Sequence, residues 1–299
     1  MTANAAQDAL TPNAPLPAPN QSSYWLARRC LTIFSATPRT HPIPQMVSLA
    51  LRPRSPSEIV DAAFQIMRAH FAQFVMCSAI GYLPWLVVDI VRASDPARAL
   101  DVNIGANLLL LLGFWLVFAL MGAVLTVCAS QAYLGEPVDV GVAVRQALPR
   151  WPLVLIAAVL RFVLVIVALF LFFIGALYPA SRFFAVTPAI VLEGVGLGKA
   201  FTRASALSKG RKWHIILTMG LVFVIYLVVA LGIVLTAQLV GSLIVQVIVM
   251  AIFTIVGYPV VAITGAVLYY DLRIRSEGLD IELMAGALES APSREAAAP

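Results

Sequence analysis

The stretch from Pro179 to His214, PASRFFAVTPAIVLEGVGLGKAFTRASALSKGRKWH, decides how this chain is laid out. It holds a short apolar segment from Phe183 to Leu192, an acidic stop at Glu193, and glycines at 194, 196 and 198. Five Lys/Arg follow between Lys199 and Lys212. Long apolar runs flank it. Trp151–Ser181 carries one charge, Arg161, and Trp213–Tyr270 carries none over 58 residues. Those 58 residues would make about 87 Å of helix. A membrane crossing needs about 20 residues, so the run must fold back once, and Gly241-Ser242 is the expected turn. Upstream, Ala69–Val88 and Val102–Gly135 are two further charge-free runs.

The composition agrees. Hydrophobic residues make up 61% and charged residues 12%, against roughly 45–50% and 25% in soluble domains. The mean hydropathy is +0.92. The expected fold is an all-α, polytopic membrane helix bundle of about six transmembrane helices over residues 51–285. Residues 1–50 and 286–299 read as disordered tails, because they are polar and rich in Ala, Pro and Ser. The net charge of +5 lies in short loops beside apolar runs, which argues against a nucleic-acid partner. Cys30, Cys77 and Cys128 form no C-x-x-C pair and suggest neither a disulfide framework nor a zinc site.

Whether the short apolar segment crosses is decided by the rule that cytoplasmic loops carry the Lys/Arg excess. Spans near 69–91, 106–131, 152–178, 180–193, 214–240 and 243–270 put both termini in the cytoplasm. Arg52, Arg54, Arg68, Arg145, Arg150, the cations of 199–212, Arg273 and Arg275 then share that side. Arg92, Arg98 and Arg182 fall outside. The fourth crossing is short and kinked at Pro188; a re-entrant element is the alternative.

Two amphipathic helices are expected to lie in the interface. Ser55-Pro56-Ser57-Glu58 reads as a capping box opening a helix over 56–69. Glu58, Asp61, Gln65 and Arg68 form its polar stripe, with Ile59, Ala63, Ile66, Met67 and His70 opposite. The second covers 197–209, with Leu197, Ala200, Phe201, Ala204 and Leu207 on its apolar face. Trp151, Trp213, Tyr269 and Tyr270 fall where an aromatic belt belongs. Gly113, Gly122, Gly220, Gly232 and Gly265 are expected to permit close helix contacts.

Three stretches, LRPRSPSEIVDAAFQIMRAHF from Leu51, TPAIVLEG with AFTRASALSKGRKW between Thr187 and Trp213, and LYYDLRIRSEGLDIEL from Leu268, resemble one family. It is the membrane domain found with some glycerophosphoryl diester phosphodiesterases and in many stand-alone bacterial membrane proteins. The resemblance implies a bacterial inner-membrane fold. In fused members a separate barrel performs the hydrolysis. Only 29 residues follow Tyr270, against about 250 for such a barrel, so no catalytic residue carries over.

The candidate functional residues are few. Arg161 is an intramembrane cation that either faces the bundle, paired with Glu193 or Asp89, or snorkels to the interface. Glu193 follows a Pro-broken segment of the kind that marks transporter sites, or simply ends a helix. Asp89 reads as an interfacial carboxylate. Asp271 with Arg273 and Arg275 reads as an interfacial stop. GVGLGK at 194–199 lacks the context of a phosphate loop. His41, His70 and His214 sit at no metal-ligand spacing, and no cofactor or catalytic set is indicated. Lys199, Arg203, Lys209, Arg211 and Lys212 are candidate contacts to anionic lipid of the bilayer. The function expected is therefore that of a non-enzymatic multi-pass membrane protein that organises lipid or serves other membrane proteins as a partner. A small transporter or channel component using Pro188 and Arg161 is the alternative. Recognisable structure begins near Met46, where translation is expected to start; a peptide from residues 1–45 in the purified protein would contradict that.

Overall fold

The computed structural model describes residues 53–95, 104–171 and 173–278, all within one compact unit, Pro42–Glu282. The expected tails, Met46, Arg52 and Arg98 lie outside the described residues. Among the described residues the structure is helical, with no strand. Helix α1 (Pro56–Ala69) leads into α2 (Phe71–Ser94) and α3 (Ile104–Tyr133). A short α4 (Val140–Ala147) precedes α5 (Trp151–Leu171). A broken stretch containing α6 (Leu177–Arg182) comes next, then α7 (Leu197–Leu207). Two long helices, α8 (Lys212–Val240) and α9 (Leu243–Glu277), close the fold. Five of these, α2, α3, α5, α8 and α9, are long and apolar enough to span a membrane.

The chain makes its ends where local chemistry dictates. Ser55 Oγ accepts from the Glu58 amide at 3.4 Å, and Glu58 accepts from the Ser55 amide at 2.8 Å, so the capping box forms. Gly241 takes φ +70° between α8 and α9, where the fold-back was expected. Helix α9 is about 50 Å long, well beyond the ~30 Å hydrocarbon core. Its last turns therefore emerge from the apolar layer, yet Ala266–Ile274 is almost wholly buried. The covering elements are α1, α2, α3 and α8, with α7 beside the last turns.

Burial concentrates at this end, here called the polar end. Met121 and Ala123–Gln131 of α3, Ile59–Met67 of α1 and Ala185–Val191 contribute. Toward the opposite end the helices present exposed apolar side chains such as Ile104, Leu109 and Phe223, as lipid-facing surfaces do. The apolar faces of α1 and α7 are thus spent on protein. Helix α1 packs on α8 and α9, and α7 packs on the 186–193 segment. Ile59, Ala63, Ala200 and Ala204 are fully buried, so the apolar sides of both helices meet protein.

The fourth crossing also differs from expectation. Both ends of the described unit meet at the polar end, because the Arg54 amide donates to Asp271 Oδ1 at 2.7 Å. Five long helices alone would leave them at opposite ends, so residues 173–193 must bring the chain back. They do so in pieces: a 3₁₀ turn (Phe173–Ala176), α6, a single turn at Val186–Pro188 and a π-helical turn, Ala189–Glu193. Pro179 and Pro188 each lack an amide donor, which weakens a continuous helix here, although α2 and α9 carry Pro84 and Pro259 in their interiors. Arg182, expected on the far side, donates to Ser205 Oγ at 2.9 Å. Arg182 and the segment that follows it therefore pack beside α7.

Of the five glycines expected at close contacts, two fit. A Cβ on Gly122 would lie 2.8 Å from the Tyr258 hydroxyl oxygen, and one on Gly265 would lie 3.7 Å from the Phe184 ring. Gly113, Gly220 and Gly232 have nothing within 4 Å and face open space. Gly81 against Met121 and Gly257 against Tyr226 take that role instead.

Candidate functional site

The charged residues of the polar end converge on two buried carboxylates. The first is Glu193, at the end of the π turn. Arg203 of α7 grips it with Nε at 3.0 Å and a second guanidinium nitrogen at 2.9 Å. The Tyr269 hydroxyl donates to the same carboxylate, and Arg273 Nε lies 3.8 Å away. Arg203 also donates to Glu277, at 2.9 Å to Oε2, and Arg273 Nε donates to Glu277 at 2.9 Å. Two carboxylates and two guanidiniums thus close a neutral ring joining the broken stretch, α7 and α9. Burial alone would pull the Arg203 guanidinium down; Glu193 and Glu277 outweigh it and hold the group above its ordinary value.

The second is Asp271, with 1% of its side chain exposed. Its Oδ1 takes the Arg54 amide, and its Oδ2 takes Arg275 Nε at 2.8 Å and lies 3.0 Å from His214 Nε2. Arg275 in turn donates to the Arg54 carbonyl at 2.6 Å. Arg211 caps the end of α9 by donating to the carbonyls of Leu272 and Arg275. Directly before Asp271, Tyr270 shares a 2.5 Å hydrogen bond with Ser130 and stacks on Tyr133, with the Arg54 guanidinium 5.8 Å above that second ring.

The π turn is tied in from the other side. An under-wound π turn leaves a carbonyl without its α-helical partner, and here Val191 O accepts from Arg150 at 2.9 Å and from Gln146 at 3.1 Å. Gly194 then closes the turn at φ +69°, and a Cβ there would meet the Arg150 guanidinium at 2.8 Å. Both the backbone angle and the neighbour call for glycine.

The sequence-derived candidates fall into separate places. Glu193 belongs to the network. Asp89 accepts from the Tyr82 hydroxyl at 3.2 Å within α2. Arg161 sits midway along α5, with Tyr258 in electrostatic reach and no carboxylate partner among the described residues. The expected pairing of Arg161 with Glu193 or Asp89 does not form. Of the five lipid-contact candidates, Arg203 and Arg211 are consumed by α9 and its partners. Lys199 and Lys209 are exposed, and Lys212 lies over the Tyr178 ring.

Sequence reasoning misjudged Tyr269, Tyr270, Asp271 and Arg273, and passed over Glu277. The pair of tyrosines is buried rather than part of an aromatic belt, and Asp271 and Arg273 are core residues rather than an interfacial stop. A signal was available. On a helix, Asp271, Arg273, Arg275 and Glu277 point about 200° apart in succession, so any element covering that helix must meet charge.

Chemically, this arrangement holds elements together. Among the described residues every buried side-chain nitrogen or oxygen has a hydrogen-bond partner. His214 and Asp271 form a pair, but among the described residues no hydroxyl or thiol bonds the His214 ring; Thr218 donates to its backbone carbonyl. No group of three or more metal-ligating side chains is assembled among the described residues. Compared with protein-family models, curated proteins and solved structures, the chain finds no match.

Removing one member of a buried ion pair strands the other and costs about 3 kcal/mol or more. Glu193→Gln is expected to lower the thermal midpoint of the detergent-solubilised chain by several degrees. Asp61→Asn, on the exposed stripe of α1, should stay within about 0.5 kcal/mol. Equal midpoints for the two variants would contradict the assignment.

Proposed function

We propose that this chain is a non-catalytic multi-pass membrane protein that gathers anionic lipid around its polar end. One observation carries the reading. The buried acids there, Glu193 and Asp271, are neutralised inside the protein together with Glu277, whereas cations remain on the rim. Lys199, Lys209, Arg68 and Arg145 are exposed, and Trp213, 74% exposed, marks the headgroup layer. The carboxylates a general acid–base mechanism would need are committed to holding the fold.

The same distribution orients the chain. Arg54, Arg68, Arg145, Arg150, Arg182, the cations of 199–212, Arg273 and Arg275 all lie at the polar end, and among the described residues Arg92 lies opposite. By the positive-inside rule, that bias supports a cytoplasmic polar end. The resemblance to the membrane domain of the phosphodiesterase family fits a bacterial inner membrane. Its three stretches meet in one network, as expected where a motif set serves one structural purpose.

A transporter reading is favoured by Arg161, which lacks a carboxylate partner in mid-helix. The packing of Ala185–Val191 weighs against it. So does the cavity between α8 and α9, about 220 Å³, whose lining includes Phe64, Val222, Phe253 and Val260 and no ionisable side chain but Tyr226.

The test is lipid analysis of the full chain extracted with its surrounding bilayer. Each rim cation near an anionic surface contributes about 1 kcal/mol, so anionic phospholipid should be enriched severalfold over the bulk membrane, and less so in Lys199→Gln/Lys209→Gln. A bulk composition around the protein, with solute uptake in proteoliposomes abolished by Arg161→Gln, would overturn the proposal.

A further inference from the structure

One cluster at the polar end breaks the pattern of internal neutralisation. Arg182 closes α6 and Lys212 opens α8, and both converge on Tyr178. The Arg182 guanidinium donates to the Tyr178 hydroxyl at 3.2 Å and to Ser205 Oγ at 2.9 Å. The Lys212 ammonium sits 3.9 Å from the Tyr178 ring centroid. Neither cation has a carboxylate partner among the described residues. Arg203, Arg273 and Arg275, by contrast, are each paired with an acid.

Two cations brought to one ring without an acid repel each other. The tyrosine face offsets part of that cost, and an anion would offset the rest. The surroundings say which anion. Trp213 follows Lys212 directly, and beneath it Leu217, Leu221, Val224 and Val228 form an exposed apolar stripe down α8 at helical spacing. Beside Tyr178, Leu177 is also exposed. The charge therefore stands at the headgroup level above a lane fit for acyl chains.

We propose that Arg182, Lys212 and Tyr178 form a headgroup site for the phosphate of an anionic glycerophospholipid, whose chains run along the Leu217–Val228 face of α8. The site rests on the lipid-gathering reading and sharpens it: the specific contact is made by Arg182 and Lys212, and the other rim cations supply a diffuse field. The Tyr178 hydroxyl is held below its ordinary value, first by Lys212 and then by Arg182, as an uncompensated positive pocket requires. A zwitterionic lipid offers the same phosphate but brings its own ammonium, so the anionic class is preferred.

The experiment is native mass spectrometry of the detergent-solubilised full chain, titrated with phosphatidylglycerol, phosphatidylcholine or inorganic phosphate. The wild type should bind one phosphatidylglycerol in preference to phosphatidylcholine. At about 1 kcal/mol per cation, Arg182→Gln/Lys212→Gln should weaken that adduct roughly thirtyfold. Lys212→Gln alone, which leaves the Ser205 contact intact, should weaken it about fivefold, and Lys212→Arg should retain it. Lys199→Gln/Lys209→Gln should change it far less. Unchanged phosphatidylglycerol binding in both Gln variants, with the wild-type preference intact, would overturn this site and leave the broader reading standing. No preference in the wild type would overturn both. Displacement of the lipid by an equal concentration of inorganic phosphate would assign the pocket to a free anion and overturn the lipid proposal.

Discussion

A buried carboxylate on an apolar helix has to be met by donors, or the helix end cannot be covered. Asp271 and Glu193 impose that condition here. Leaving either unpaired in the interior would cost several kcal/mol, so the surrounding elements are placed by what they bring. Segment 53–55 supplies the Arg54 amide, α7 brings Arg203, α8 brings His214, and α9 brings Tyr269, Arg273 and Arg275 from its own neighbouring turns.

The broken return stretch depends on the same condition. Residues 173–193 are broken into short turns carrying Pro179 and Pro188, and the π turn exposes a carbonyl in a crowded place. Arg150 and Gln146 satisfy it, Gly194 reverses the chain beside Arg150, and the segment delivers Glu193 to Arg203. An irregular backbone near a membrane is tolerated where protein covers it. The coverage is complete at Ala189, Ile190 and Val191, each with no exposed surface.

Much of this was legible in the sequence. Charge-free runs located α2, α3, α5, α8 and α9, because the length of an apolar stretch and the thickness of a bilayer are both fixed. Ser55 to Glu58 announced the start of α1, and Gly241 announced the turn between α8 and α9. Burial at the polar end was not legible. Hydropathy treats Asp271 and Arg273 as surface charges and cannot see the helices that cover them. Arg182 was assigned away from α7, though it bonds Ser205 there, because the rule that counts charges assumes straight, separate crossings. The choice among glycines failed because approach distance depends on which face of the helix meets a neighbour, a property of the packing. Helix α4, begun by Asp139 with its side chain accepting from the Val142 amide at 3.1 Å, was passed over as a loop because it is only two turns long.

The account stands or falls on Arg182 and its neighbours packing beside α7 at the polar end. The most direct test places spin labels at Ala180 and Lys209, both exposed, in the full chain reconstituted into liposomes, and measures the distance between them. The account expects a distribution well under the ~30 Å thickness of the hydrocarbon core. A distribution centred at or beyond that thickness would place Ala180 across the membrane and contradict it.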